Sequence, residues 1–175
     1  MIWMIILMAG LPGTGKTTLA RELCRRTSGR VLSKDEFRHA IFSPEEIEYS
    51  VRQDDFCQEL MLRTAGYLLE RDRAIKIFLD GRPFSRRYQI ENVLATAVSL
   101  HQPWRILECV CMEKTAQRRL AADMEGQTHP AGNRNLSLYL GVKARFETIA
   151  HPKTSIDTDQ PLERCVAVAL HSLSG

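Results

Sequence analysis

The chemistry most legible in the sequence lies in Gly10-Leu11-Pro12-Gly13-Thr14-Gly15-Lys16-Thr17-Thr18. The spacing fits G-x-x-x-x-G-K-[ST] in full, with an apolar run before it and a helical pattern after it. Glycines let such a backbone curl until successive N–H groups point at phosphate oxygens. The helix that follows adds unpaired N–H groups and the positive end of its dipole. Lys16 then reaches the β- and γ-phosphates, the Thr17 hydroxyl ligates Mg²⁺, and Thr18 helps hold the α-phosphate. A chance glycine turn would lack this context between strand and helix. The ligand class is a nucleotide with Mg²⁺, but the loop alone names no reaction.

A second group, Ser33-Lys34-Asp35-Glu36-Phe37-Arg38, follows a short apolar run. An acid at the carboxyl end of a strand beside a phosphate loop can orient or deprotonate an attacking hydroxyl. Three residues on, Arg38 shares the helical face of Asp35 and can hold an anionic or hydroxylated substrate. The competing reading is a capped helix with an ordinary surface ion pair. The N-K-x-D reader of guanine-specific switches is absent, and 175 residues leave no room for the extra subdomains of large motor ATPases.

Alternating strands and helices must position these groups. Residues 2–9 read as a first strand, 15–28 as a helix and Val31-Leu32-Ser33 as a second strand. Cys57, Leu60, Met61, Thr64, Ala65, Leu68 and Leu69 recur at i, i+3, i+4, i+7, which is one face of an amphipathic helix. Ala74 to Leu79 reads as the third strand, and Ile90, Val93, Leu94, Ala97 and Val98 as the next helix. Trp104 to Cys111 is the fourth strand, followed by a helix over about 113–123. Residues 125–136 are polar and rich in turn formers, predicting a mobile loop. A helix over about 137–149, a weak strand at Thr154 to Asp157 and a last helix through Leu162, Cys165, Val166, Ala169 and Leu170 complete the chain. Near-continuous apolar strands alternating with helices predict an α/β fold of three layers, with five strands, mostly parallel, between two sheets of helices. One domain, 1–175, accounts for the whole pattern.

The remaining composition narrows the class. A net charge of +3 suits an anionic ligand and lacks the charge blocks of a nucleic-acid tail. Cys24, Cys57, Cys109, Cys111 and Cys165 are odd in number and scattered, unlike a secreted disulfide framework. Cys109 and Cys111 share one face of a strand and read as core rather than as metal ligands. None of the five histidines has ligand spacing. The apolar N-terminus lacks the basic segment of a signal peptide, and no segment approaches a membrane span. A cytoplasmic protein is expected.

The segments GLPGTGKTTLA, SKDEFRHAI and IFLDGRPFSRR together resemble the P-loop small-molecule kinases. That group includes adenylylsulfate kinases, gluconate kinases, chloramphenicol phosphotransferase and the kinase module of polynucleotide 5′-kinases. The resemblance implies a nucleoside-kinase-like P-loop fold with a lid over about 118–137, using ATP and Mg²⁺. It implies Asp35 as general base toward the acceptor hydroxyl and Arg38 as a substrate-binding arginine. Asp80, at the end of Ile77-Phe78-Leu79, falls where the group places an acid that holds Mg²⁺ through a water; capping of the next loop is the other reading. Arg118 and Arg119 resemble lid arginines, with Arg118 on the transferred group and Arg119 against the nucleotide, and a solvated helix face is the alternative for each. Arg134 is a second lid candidate. Arg82, Arg86 and Arg87 either line the acceptor pocket or form a basic turn. Asp157 and Thr158 fall near the adenine position, where they read first as packing and capping residues.

The preferred acceptor is the hydroxyl of a small molecule. A nucleic-acid 5′-hydroxyl is the runner-up, against which stand the modest charge and the lack of a basic stripe with interleaved aromatics. A non-catalytic ATP-binding switch is the third reading, and the Asp35/Arg38 pair argues against it.

Overall fold

A computed structural model describes residues 4–72, 74–126 and 135–174. Its centre is β1 (Met4–Ala9), in which every residue is buried, as a strand covered on both faces requires. With β2 (Arg30–Ser33), β3 (Lys76–Asp80), β4 (Trp104–Val110) and β5 (Thr154–Asp157) it forms a five-stranded sheet in the order β2-β3-β1-β4-β5. All four pairings are parallel, so the mostly parallel sheet expected from the sequence is parallel throughout.

The side-chain alternation of β1 feeds two separate cores. Ile5, Leu7 and Ala9 meet the apolar faces of α3 (Val51–Arg71) and α4 (Arg87–Ser99), while Met4, Ile6 and Met8 meet α1 (Lys16–Thr27) and α7 (Leu162–Ser174). Each such fully buried aliphatic side chain stabilises the fold by about 1.5–3 kcal/mol. Three further α-helices surround the top of the sheet. α2 (Lys34–Ile41) begins directly where β2 ends, and α5 (Glu113–Gly126) and α6 (Leu136–Ala144) meet through Ala116, Leu120 and Tyr139.

Strand order reverses at β1, with β3 and β2 on one side and β4 and β5 on the other. In an open parallel sheet the crevice above such a switch point is where ligands bind. The phosphate loop leaves β1 into that crevice. Asp80 is the last residue of β3 and lies in register with Ser33 on β2, so Asp80 and the start of α2 share the same edge of the sheet.

Several boundaries differ from the sequence expectation. α3 starts at Val51, ahead of the apolar face read from Cys57 onward, because Ser50 caps it by accepting from the Gln53 N–H at 3.1 Å. α5 continues to Gly126, and α6 ends at Ala144, not at 149. After Arg145 the backbone turns away: the Glu147 N–H donates to Ser85 O at 2.9 Å, and Ile149 is buried against the α3–α4 side of the sheet. β4 stops at Val110, leaving Cys111 beyond the strand and half-buried beside α5, whereas Cys109 is core. Among the described residues no group of histidine, cysteine or acid side chains clusters as a multi-ligand metal site. No described helix is long and apolar enough to cross a membrane.

Candidate active site

A cavity of about 840 Å³ opens above the carboxyl ends of the strands, and its lining runs from the phosphate loop to α2, α3 and the loop after β3. The loop's shape is fixed by its glycines. Gly13 has φ 77°, and a Cβ there would stand 2.7 Å from Ala116 O and 3.0 Å from Leu120 Cγ, so only glycine lets α5 lie this close. Gly15 enters α1 with φ 80°, and no side chain caps that helix. The first-turn N–H groups are thereby left for a ligand, and no acid stands in that turn to compete with an anion. Lys16 folds back, donating from Nζ to Gly10 O at 2.9 Å and Leu11 O at 2.8 Å. Thr17 and Thr18 line the cavity beside it.

Asp35 and Arg38 sit one helical turn apart on α2, and both line the cavity. Arg38 is fully buried and all three of its nitrogens are engaged: Nη1 donates to Asp35 Oδ1 at 2.8 Å, Nε to Gln53 Oε1 at 3.1 Å, and Nη2 to Asp54 Oδ1. The Tyr49 ring covers the guanidinium, 5.0 Å from ring centre to Cζ. Lys34 Nζ reaches the same Asp54 oxygen at 2.8 Å and lies 3.6 Å from Asp35. Asp35 is therefore flanked by two buried cations that α3 holds in place through Asp54. The surface-pair reading of Asp35 and Arg38 is excluded by their burial.

Asp80 is 1% exposed, and its Oδ1 has no hydrogen-bond partner. A buried carboxylate oxygen without a partner is costly unless something else satisfies it. Together with the Thr17 hydroxyl it makes a small set of hard oxygen donors on one cavity, which fits Mg²⁺, a cation that keeps waters and phosphates as most of its ligands. Gly81, at φ 87°, brings this end of β3 against α2: a Cβ would lie 3.0 Å from Lys34 N and 3.2 Å from Asp35 N.

Arg82 is also buried, with Nη1 donating to Gln58 at 2.8 Å and Nη2 to Asp55 at 2.5 Å, so it is no basic surface turn. Arg86 lines the cavity and pairs with Glu147 at 3.0 Å, while Arg87 lies outside the lining. The Arg87 N–H, first, and Arg86 hold the Glu147 carboxyl below the usual range.

The two adjacent arginines of α5 part company. Arg119 lines the cavity and ties the loop to β5, donating to Thr158 O at 2.7 Å and Thr158 Oγ1 at 3.1 Å. The Thr158 hydroxyl donates to Thr14 O at 2.9 Å, so Thr158 is a strut beneath the loop, close to its packing role in the sequence reading. Arg118 is exposed and outside the cavity lining, because neighbours on a helix point about 100° apart. Arg134 falls outside the described residues. His39 is exposed and away from the cavity. Burial pushes the Cys109 thiol, in the core of β4, up to about 12.

Sequence reasoning missed Lys34, Gln53, Asp54, Asp55, Gln58 and Arg145, the last an exposed residue at the end of α6 that lines the cavity. A signal for part of this existed. Extending the apolar face of α3 back from Cys57 and Met61 by one or two turns lands on Gln53 and Asp54. Polar residues on a core-facing stripe need buried partners.

The geometry can be set beside known proteins. The sequence profile described as AAA domain matches residues 5–137. No curated protein matches the chain. Among solved structures, the Mycobacterium tuberculosis APS kinase in complex with AMPPNP and APS is similar at TM-score 0.70 and 14% identity, covering 99% of each chain. Chaetomium thermophilum Kti12 in complex with ADP-AlF3 is similar at TM-score 0.72 and 14% identity, covering 97% of each. A sugar kinase from a Janibacter species is similar at TM-score 0.68 and 18% identity, covering 99% of this chain and 94% of that one. At such identities the likeness establishes a common fold. The profile match spans the phosphate loop, both buried arginines and most of the sheet, and by it the chain belongs to the AAA-domain family, on a fold shared with P-loop kinases.

Proposed function

We propose that this chain is an ATP-dependent kinase that moves the γ-phosphate of ATP onto a hydroxyl of a small molecule. The observation that carries the reading is that Asp35 and Lys16 line one cavity, an acid facing a phosphate loop. A nucleotide-binding switch has no need of a buried acid braced by two cations at that point.

In this reading the loop N–H groups and the first turn of α1 receive the phosphates, and Lys16 exchanges its carbonyl partners Gly10 and Leu11 for phosphate oxygens. Asp35 takes the proton of the acceptor hydroxyl as its oxygen bonds to the γ-phosphorus. The bond to the β–γ bridging oxygen breaks and ADP leaves. Lys34 and Arg38 hold Asp35 in place, so that the attacking oxygen is aligned before reaction. Mg²⁺, when bound, supplies neutralisation of the β- and γ-phosphate charge, with the Thr17 hydroxyl and Asp80 as its protein partners. Arg119 lies against the nucleotide. Arg145, exposed on the cavity, takes the role of the cation on the transferred group that the sequence suggested for Arg118.

The test mixes the protein with Mg²⁺ and γ-labelled ATP, offering a 5′-hydroxyl oligonucleotide or a pooled small-metabolite extract. Label on an extract component, lost in Lys16→Ala, is the expected result. Label on the oligonucleotide alone would replace the small-molecule acceptor by a nucleic-acid end. Label in neither, with ATP bound, would overturn the kinase reading in favour of a switch.

A further inference from the structure

The wall of the cavity that faces an acceptor is built by α2, α3, the loop after β3 and the start of α4. Its basic side chains are Lys34, Arg38, Arg82 and Arg86. Each is held by an acid: Lys34 and Arg38 by Asp54, Arg38 also by Asp35, Arg82 by Asp55 and Arg86 by Glu147. Four formal positive charges meet four negative ones. The match extends to single atoms, since every nitrogen of Arg38 is donated within the protein and both terminal nitrogens of Arg82 are too.

We propose that the acceptor is an uncharged, hydroxyl-bearing molecule, and that Asp54 and Asp55 set this specificity by closing the arginine forks an anionic acceptor would need. The inference rests on the kinase reading of the same site. Carboxylates and phosphates are recognised through bidentate arginine contacts, and here those contacts are already occupied by aspartates and glutamines. An anionic acceptor would have to displace a carboxylate from a buried guanidinium and would meet the like charges of Asp35, Asp54 and Asp55. An uncharged hydroxyl pays neither cost. It finds the rings of Tyr49 and Tyr88 in the lining, which suit the carbon faces of a sugar or nucleoside. The same closure argues against a nucleic-acid strand, whose acceptor hydroxyl is flanked by phosphates.

The test offers matched acceptor pairs to the full chain with Mg²⁺ and γ-labelled ATP: glucose and gluconate, ribose and ribose 5-phosphate, adenosine and adenosine 3′-phosphate. Nucleotide affinity is measured alongside. The expected result is a kcat/KM at least about tenfold higher for the uncharged member of any pair that is used. A second arm uses Asp55→Asn, at a side chain 42% exposed, with Tm measured to confirm a folded chain, and expects the ratio to narrow as Arg82 is released to the charged member. Charged members used as well as uncharged ones, or charged members alone, overturn the inference while leaving the kinase reading standing, and an ATP-binding chain that labels no member of any pair overturns both. An unchanged ratio in Asp55→Asn removes Asp55 as its determinant. A chain that binds no ATP overturns the kinase reading and this inference together.

Discussion

Replacing Asp35 by Asn separates the proposed base from the rest of the site. The amide keeps the shape of the carboxylate and can still accept from Arg38 Nη1, while Gln53 and Asp54 retain the other two nitrogens. The stability cost is then that of turning one charge-assisted hydrogen bond into a neutral one, about 1–2 kcal/mol. For a chain of this length that lowers Tm by roughly 2–8 °C, which leaves the protein folded at room temperature. The rate is another matter, because an amide cannot take a proton. Loss of a positioned general base lowers kcat by roughly 10²- to 10⁴-fold, or about 3–5 kcal/mol of barrier. ATP is held by the phosphate loop on another element, so its Kd should stay within about threefold. Single-turnover transfer from γ-labelled ATP gives the rate, and equilibrium nucleotide titration gives the affinity. A kcat within about threefold of the native enzyme would refute Asp35 as the base. A matched fall in nucleotide affinity would show damage to the loop and refute the separation of the two roles.

Three further outcomes follow from the geometry. Gly13→Ala forces a left-handed residue and puts a methyl against Ala116 O, so nucleotide affinity should fall and Tm should drop by at least about 2–8 °C, read by titration and calorimetry; an unchanged Tm would contradict the close approach of α5. Asp80→Asn should cut the gain in nucleotide affinity that Mg²⁺ provides by roughly 10–100-fold while leaving Mg²⁺-free binding alone, and equal losses with and without Mg²⁺ would remove Asp80 from the metal role. The Cys109 thiol holds its proton up to about 12 in the fold against 9.0 ordinarily, so the unfolded chain releases that proton first and stability falls as pH rises above 9.0. Peptide-resolved alkylation below that pH should spare Cys109 until the chain unfolds, and labelling as fast as in denaturant would show that β4 is not closed.

Much of the candidate site was legible because it is local in sequence. The phosphate loop needs its residues in one order, since the backbone itself is the ligand and only glycine reaches the required φ. β1 and β3 were legible because a parallel strand buried on both faces demands a continuous apolar run, and the helical faces of α3 and α4 because their apolar residues recur with the helical period. Asp35 was visible for the same reason: it follows a strand that must end beside the loop.

What the sequence left open were relations between segments far apart in the chain. It put Arg118 and Arg119 side by side, and only the rotation of α5 against Thr158 decided that Arg119 enters the cavity. It showed Arg38 as a candidate substrate ligand, and only the docking of α3 on α2 showed its nitrogens already shared among Asp35, Gln53 and Asp54. Arg82 and Asp55 stand 27 residues apart, and no local pattern announces their pairing. The physical reason is that periodicity and motif spacing report which face a residue takes on its own element. Charge compensation in a buried wall depends on which two faces are brought together, and that is fixed by the tertiary fold.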